Sequence, residues 1–218
     1  MIYENRLVDS YPPPPPSSSG SQPPPPPTDE IAALEDIKSF SLLGIIATLI
    51  LGVGLFAVFF SGFTSVLSSP HVGLFAAIGT VILAIIVIVI GAIIYLIALF
   101  KLRSGYMKIR NIDPSFGISY TGTTLILIGL ILLIIGAILT LVIVGIFLVI
   151  IGAILLFIGE ILALIVGAFK LNGRYNETLF LVAGILFIIG IFISIFTFIG
   201  MILFYIATNN VLNRLRKT

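Results

Sequence analysis

Of the side chains able to do chemistry, one is set apart by its surroundings. Glu160 is the only formally charged residue well inside an apolar run, the stretch from residue 122 to residue 169. Counting back from Lys170 at about 1.5 Å per residue places it about 15 Å inside its helix, near the middle of a bilayer. An acid at that depth costs roughly 2.5 to 3.5 kcal/mol to insert, so it must face protein or a wet cavity. Two chemistries suit it. As a functional group it would hold a proton or a small cation on a transport path. As a structural group it would be a neutral acid hydrogen-bonded to a hydroxyl of another helix, for which Thr48, Thr80, Tyr95, Thr124 and Tyr205 are candidates. The residues alone favour the structural role, because transport sites gather several polar groups at interrupted helices and no span here carries an internal proline or a second charge.

Little else offers chemistry. The absence of cysteine removes thiol nucleophiles, disulfides and iron–sulfur ligation. The lone histidine, His71, follows Pro70 in an expected turn and has no metal-binding neighbour in sequence, so it reads as a solvated turn residue. Neither a pair of aspartates nor a serine with a histidine lies at the depth of Glu160, which argues against an intramembrane protease. The expectation is a non-enzymatic protein with no catalytic residue, no metal site and no cofactor.

The elements that must position Glu160 follow from composition. Hydrophobic residues make up 59% of the 218 and charged residues only 9%, against about 25% in soluble domains. Several apolar runs exceed the roughly 18 residues that mark a membrane-spanning helix, and none alternates as a barrel strand would. The expected fold is all-α, a polytopic transmembrane bundle of six spans arranged as three hairpins. The spans fall at residues 42–63, 73–102, 122–141, 143–171, 178–194 and 196–212. Five spans, with the last run unbroken, is the alternative. Ahead of them lie a disordered proline-rich tail at residues 1–27 and a short interfacial amphipathic helix at 28–39, with residues 40–218 forming the membrane domain. Proline runs at 12–16 and 23–27 favour extended polyproline II, a spacer or bait for an aromatic-lined groove on a partner.

Spacing adds a packing rule. Gly122, Gly129 and Gly136 recur every seven residues, as do Gly145, Gly152 and Gly159, so each set keeps nearly to one helix face. Such smooth rows let helix backbones approach in lipid and suit a hairpin, or a contact with a second copy of the chain. Ala153, Glu160 and Gly167 form a further lane at the same interval. Between the third and fourth spans a turn must fall near residues 140–145, since about fifty apolar residues would otherwise make a rod of about 75 Å.

Charge and internal echoes set the topology. With six spans all 11 Lys and Arg residues share one side, whereas with five Arg214, Arg216 and Lys217 cross over. The positive-inside rule therefore favours six and puts the N-terminus in the cytoplasm. Ile188-Ile189-Gly190 followed by Ser194 echoes Ile134-Ile135-Gly136 followed by Thr140, so a turn in one passage suggests a turn in the other. A net charge of +2, scattered over short loops, does not suit nucleic-acid binding.

Phe100-Lys101-Leu102 with Tyr106 recurs as Phe169-Lys170-Leu171 with Tyr175. These segments, the isoleucine- and glycine-rich hairpins, the lack of cysteine and tryptophan and the proline-rich leader resemble an archaeal family of integral membrane proteins of unknown function. The resemblance, over roughly residues 30 to 212, implies an archaeal plasma membrane and supplies no activity or site residues. The expected function is that of a non-enzymatic structural or interaction protein in the lipid bilayer with a cytoplasmic proline-rich tail. The alternative is a small proton- or cation-linked transporter or channel built around Glu160.

Overall fold

The computed structural model describes residues 27–67, 70–139 and 143–217, so the proline-rich tail up to residue 26 and residues 140–142 of the expected turn lie outside the described residues, while residues 143–145 already belong to a helix. Every described element is helical. α1 (Pro27–Leu67) opens with Asp29 and Glu30, whose charges suit the positive end of a helix. Residues 28–39, expected as a short interfacial helix ahead of the first span, run into that span without a break. Nothing between them stops a helix: the Ser39 and Ser41 hydroxyls return to the carbonyls of Glu35 and Ile37 at 2.8 and 3.1 Å, which keeps both serines within it.

α2 (Pro70–Ile112) begins on a proline, tolerated at a first helical position because the missing N–H has no partner there. The backbone of His71 accordingly belongs to the first turn of α2 rather than to a connecting loop, and its side chain lies outside those described. A 3-10 turn at Pro114–Phe116 is capped by Asp113, whose side chain accepts from the Ser115 N–H at 2.9 Å. α3 (Gly117–Ile138) and α4 (Ile143–Glu160) follow, then a π-helical turn at Ile161–Ile165 and α5 (Val166–Tyr175). Asn176 stops α5 in the left-handed conformation, φ 50°, one of the few non-glycine residues that accept it readily.

α3 and α4 pack antiparallel along the glycine rows. A Cβ on Gly129 would lie 2.7 Å from the Gly152 carbonyl oxygen, and a Cβ on Gly152 would lie 2.8 Å from the Gly129 carbonyl. Gly122 meets the Ala163 backbone, Gly159 the Gly122 carbonyl, and Gly136 the Val149 backbone. Each contact is backbone against backbone, so no rotamer change could make room for a methyl group.

The last apolar run breaks. α6 (Thr178–Gly190) and α7 (Ser194–Leu215) are separated by a turn at residues 191–193. They fold back on each other, with the Phe180 and Phe204 rings 5.3 Å apart, Phe187 5.9 Å from Phe204, and Gly200 receiving the Phe187 ring. At Gly190 the absent side chain is replaced by Thr197. The helix expected over 178–194 thus stops at Gly190, and its 13 residues span only about 20 Å of the roughly 30 Å hydrocarbon layer. Among the described residues five helices, not six, are long and apolar enough to cross a membrane, with α4 to α5 counted as one.

The core gathers where the three hairpins meet, around Leu34, Ile37 and Phe40 of α1, Leu102 and Tyr106 of α2, Leu171, Phe180 and Phe204, all fully buried. Farther along, α1 turns Phe56, Phe59 and Phe60 outward, a surface suited to lipid. The α3–α4 contact makes a direct test of the packing. Gly129→Ala should lower the thermal unfolding midpoint in detergent, by the equivalent of about 1 to 3 kcal/mol of overpacking. The same change at Gly52, where nothing lies within 4 Å of the added carbon, should leave it unchanged. Equal effects at both positions would mean that the glycine rows do not set this interface.

Candidate functional site

Glu160 is the last residue of α4, and the π-helical turn begins immediately after it. A π turn takes up an extra residue, and the hydrogen-bond pattern shifts from i+4 to i+5. The Tyr106 hydroxyl, fully buried on α2, donates to the Ala163 carbonyl within that turn at 2.8 Å. Gly167 makes the approach possible, since a Cβ there would overlap the Tyr106 hydroxyl. The extra residue also breaks the lane of Ala153, Glu160 and Gly167. Ala153 is exposed and Gly167 lies buried against α2, whereas Glu160 borders a cavity.

That cavity has a volume of about 380 Å³ and lies between α1, α2, α4 and the α6–α7 turn. Its polar side chains are Glu160, Thr48, Tyr95, Ser194 and Thr197, and Phe157, Phe187 and Phe198 form apolar walls. Glu160 itself is exposed to the cavity space. The short α6 creates this space. Because its turn stops partway along the neighbouring helices, Gly190, Ile191 and Ser194 border a gap that a full-length helix would fill.

The five hydroxyls named as partners for Glu160 scatter. Thr48 and Tyr95 reach the cavity, but Thr48 donates back to the Gly44 carbonyl at 2.8 Å. Thr124 lies at the polar end of the bundle, bonded to the Tyr120 carbonyl and to Arg103. Tyr205 stacks beneath the Lys38 ammonium, and the Thr80 side chain is outside those described. Among the described residues no hydrogen bond or ion pair reaches the Glu160 carboxylate. Ser194 and Thr197, which complete the polar lining, were not legible as partners: their approach depends on where the last run bends, and sequence marked Ser194 only as a turn residue.

The ion pairs gather away from the cavity, where helix ends converge. Asp36, only 7% exposed, accepts from Lys101 at 3.0 Å, Ser104 at 2.8 Å and Lys108 at 2.6 Å. Glu30 accepts from Arg174 at 2.8 and 3.0 Å and from the Tyr175 hydroxyl at 2.9 Å. Arg214 pairs with Glu177 at 3.1 Å and Arg216 with Glu35 at 2.6 Å, which ties the end of α7 to the starts of α6 and α1. Burial pushes the Asp113 carboxyl upward, but hydrogen bonds from Ser115 and the nearby Arg174 outweigh it and hold the group below its ordinary range.

The bond that holds the π turn can be removed alone. Tyr106→Phe deletes one oxygen and leaves the buried Ala163 carbonyl without its donor, which should cost about 1 to 3 kcal/mol in thermal unfolding. Gly167→Ala should cost at least as much, because the hydroxyl must move. An unchanged midpoint in Tyr106→Phe would show that this bond does not stabilise the site.

No curated protein and no solved structure matches this chain. A protein family of unknown function, DUF973, matches residues 30–218, which takes in every helix beyond the start of α1, the cavity and the charged end. The chain belongs to that family, DUF973, whose function is unknown.

Proposed function

We propose that this is a non-enzymatic integral membrane protein that binds and passes a proton or small cation at Glu160. One observation carries the reading: a carboxylate with no hydrogen-bond or ion-pair partner among the described residues borders a cavity shared by four hydroxyl side chains, at a break between two helices. Interrupted helices around a polar site near mid-bilayer are the arrangement by which small transporters hold their ions. A purely structural acid would spend its hydrogen bonds on a neighbouring helix, and among the described residues this one does not.

Six apolar segments lie in the membrane under this reading, with both ends of the chain in the cytoplasm. The support is electrostatic. α7 brings Arg214 and Arg216 back beside Glu177 and Glu35, so the chain returns to the end from which α1 starts. A compartment that receives every cationic connector is by the positive-inside rule the cytoplasm. α6 is too short to reach the far surface, and the α6–α7 pair therefore enters and leaves from the same side.

Two measurements test this. In proteoliposomes loaded with a pH-sensitive dye, the wild-type chain should conduct protons or exchange them for an alkali cation. Glu160→Gln should reduce that flux at least about tenfold with the melting profile unchanged, as expected when the group that carries the charge is lost. Equal flux in the two proteins, or none in the wild type, removes the proposal. A single cysteine introduced at Thr218 should resist an impermeant thiol reagent applied to intact cells, and labelling there would place the two ends on opposite sides.

A further inference from the structure

Among the described residues two arginines of α2 stand without a carboxylate. Arg103 donates from Nη2 to the Tyr120 hydroxyl at 2.8 Å and from Nε to Thr124 Oγ1 at 3.3 Å. Arg110, seven residues on and so on the same helix face, holds its guanidinium 4.4 Å from the centre of the Tyr120 ring, and the Arg103 guanidinium lies 5.1 Å from the same centre. Among the described residues neither enters a salt bridge, whereas Lys101, Lys108, Arg174, Arg214 and Arg216 each pair with Asp or Glu. Two like charges therefore converge on one aromatic ring. Neutral partners orient them but do not cancel their repulsion, which is larger beside lipid than in open water.

The place identifies the missing anion. Arg103 comes just after the apolar stretch of α2, and Phe100 and Ile118 on the two helices are each more than half exposed. Tyrosine and arginine beside outward-facing apolar side chains mark the level of lipid headgroups. At that level the abundant anion is a lipid phosphate, and the planar guanidinium fork matches its oxygens in pairs.

We infer that the surface where α2 and α3 meet at Arg103, Arg110 and Tyr120 binds the phosphate of an anionic membrane lipid. The headgroup lies between the two guanidiniums, and the acyl chains descend along Phe100 of α2 and Ile128 of α3, which is also exposed. Net positive charge selects a lipid whose phosphate is not offset by an ammonium group.

Native mass spectrometry of the full chain, released from bilayers of equal phosphatidylglycerol and phosphatidylcholine, reads which lipid stays bound. The wild type should retain phosphatidylglycerol preferentially. Arg103→Gln with Arg110→Gln should reduce that preference roughly thirtyfold, and Arg110→Gln alone roughly fivefold. The single change alters an exposed side chain and keeps the test valid if the double variant does not fold. Arg214→Gln with Arg216→Gln removes the same charge from the same end and should leave the preference intact. Equal retention of both lipids by the wild type, or equal loss in the Arg214 and Arg216 variant, overturns the site. Displacement of the lipid by millimolar inorganic phosphate would assign the site to a free anion and overturn the lipid as its ligand.

Discussion

The exclusion of charge from hydrocarbon is the constraint on which the rest of this structure depends. An apolar bundle has no strong preference for one helix against another over a lipid tail, so packing of small residues and polar contacts decides the arrangement. Here both act, at different depths. Along the α3–α4 seam, glycine against backbone gives close approach. At the charged end, carboxylates from the start of α1 reach three other elements: Asp36 to α2, Glu30 to α5 and Glu35 to α7. The pairs differ in weight. Arg216 with Glu35 is half exposed on both sides and contributes little, about 0 to 1 kcal/mol. Asp36 is almost enclosed, and without its lysines it would be a buried charge with only Ser104 to solvate it.

The same constraint explains how a helix break survives inside the bundle. In lipid a turn is tolerated only where its backbone groups are satisfied within the protein or line a cavity. At residues 191–193 the turn satisfies itself: Phe192 and Ile193 donate to the Ile189 carbonyl at 3.0 and 3.1 Å, and Phe196 donates to Ile193 at 3.0 Å. The π turn after Glu160 uses another solution, an imported donor, the Tyr106 hydroxyl. Two irregularities on adjacent elements border the deep carboxylate.

What could be read from the sequence depended on whether the deciding interaction was local. Helical character, the burial of the seven-residue glycine rows at Gly122, Gly129, Gly136, Gly145, Gly152 and Gly159, and a turn after Ile188-Ile189-Gly190 are recorded in short-range spacing, and the structure contains all three. The continuity of α1 was hidden because acidic residues before an apolar run mark a helix start without saying that the helix runs on. The break in the lane from Glu160 to Gly167 was hidden for a different reason. The π turn receives a donor from 57 positions away in the chain, and no pattern within α4 announces that contact. The echo of Phe-Lys-Leu with a later tyrosine placed both segments at one end of the bundle, yet the two tyrosines found different work: Tyr106 is sealed in the core against Ala163, and Tyr175 bonds Glu30.

These unlike fates of similar segments bear on how the cavity came to exist. A bundle of three equivalent hairpins would be filled to the same depth everywhere, and an acid at mid-bilayer would be pressed against a helix. Here the third hairpin is the short one: α6 has 13 residues where α3 has 22. Shortening it withdraws wall from one side of Glu160 and puts Ser194 and Thr197 where aliphatic side chains would otherwise continue. A longer α6 would gain apolar contact, at about 25 cal/mol per Å² of surface buried, and would close the space. Keeping the helix short forgoes that stabilisation, and what it leaves in exchange is an acid with room beside it.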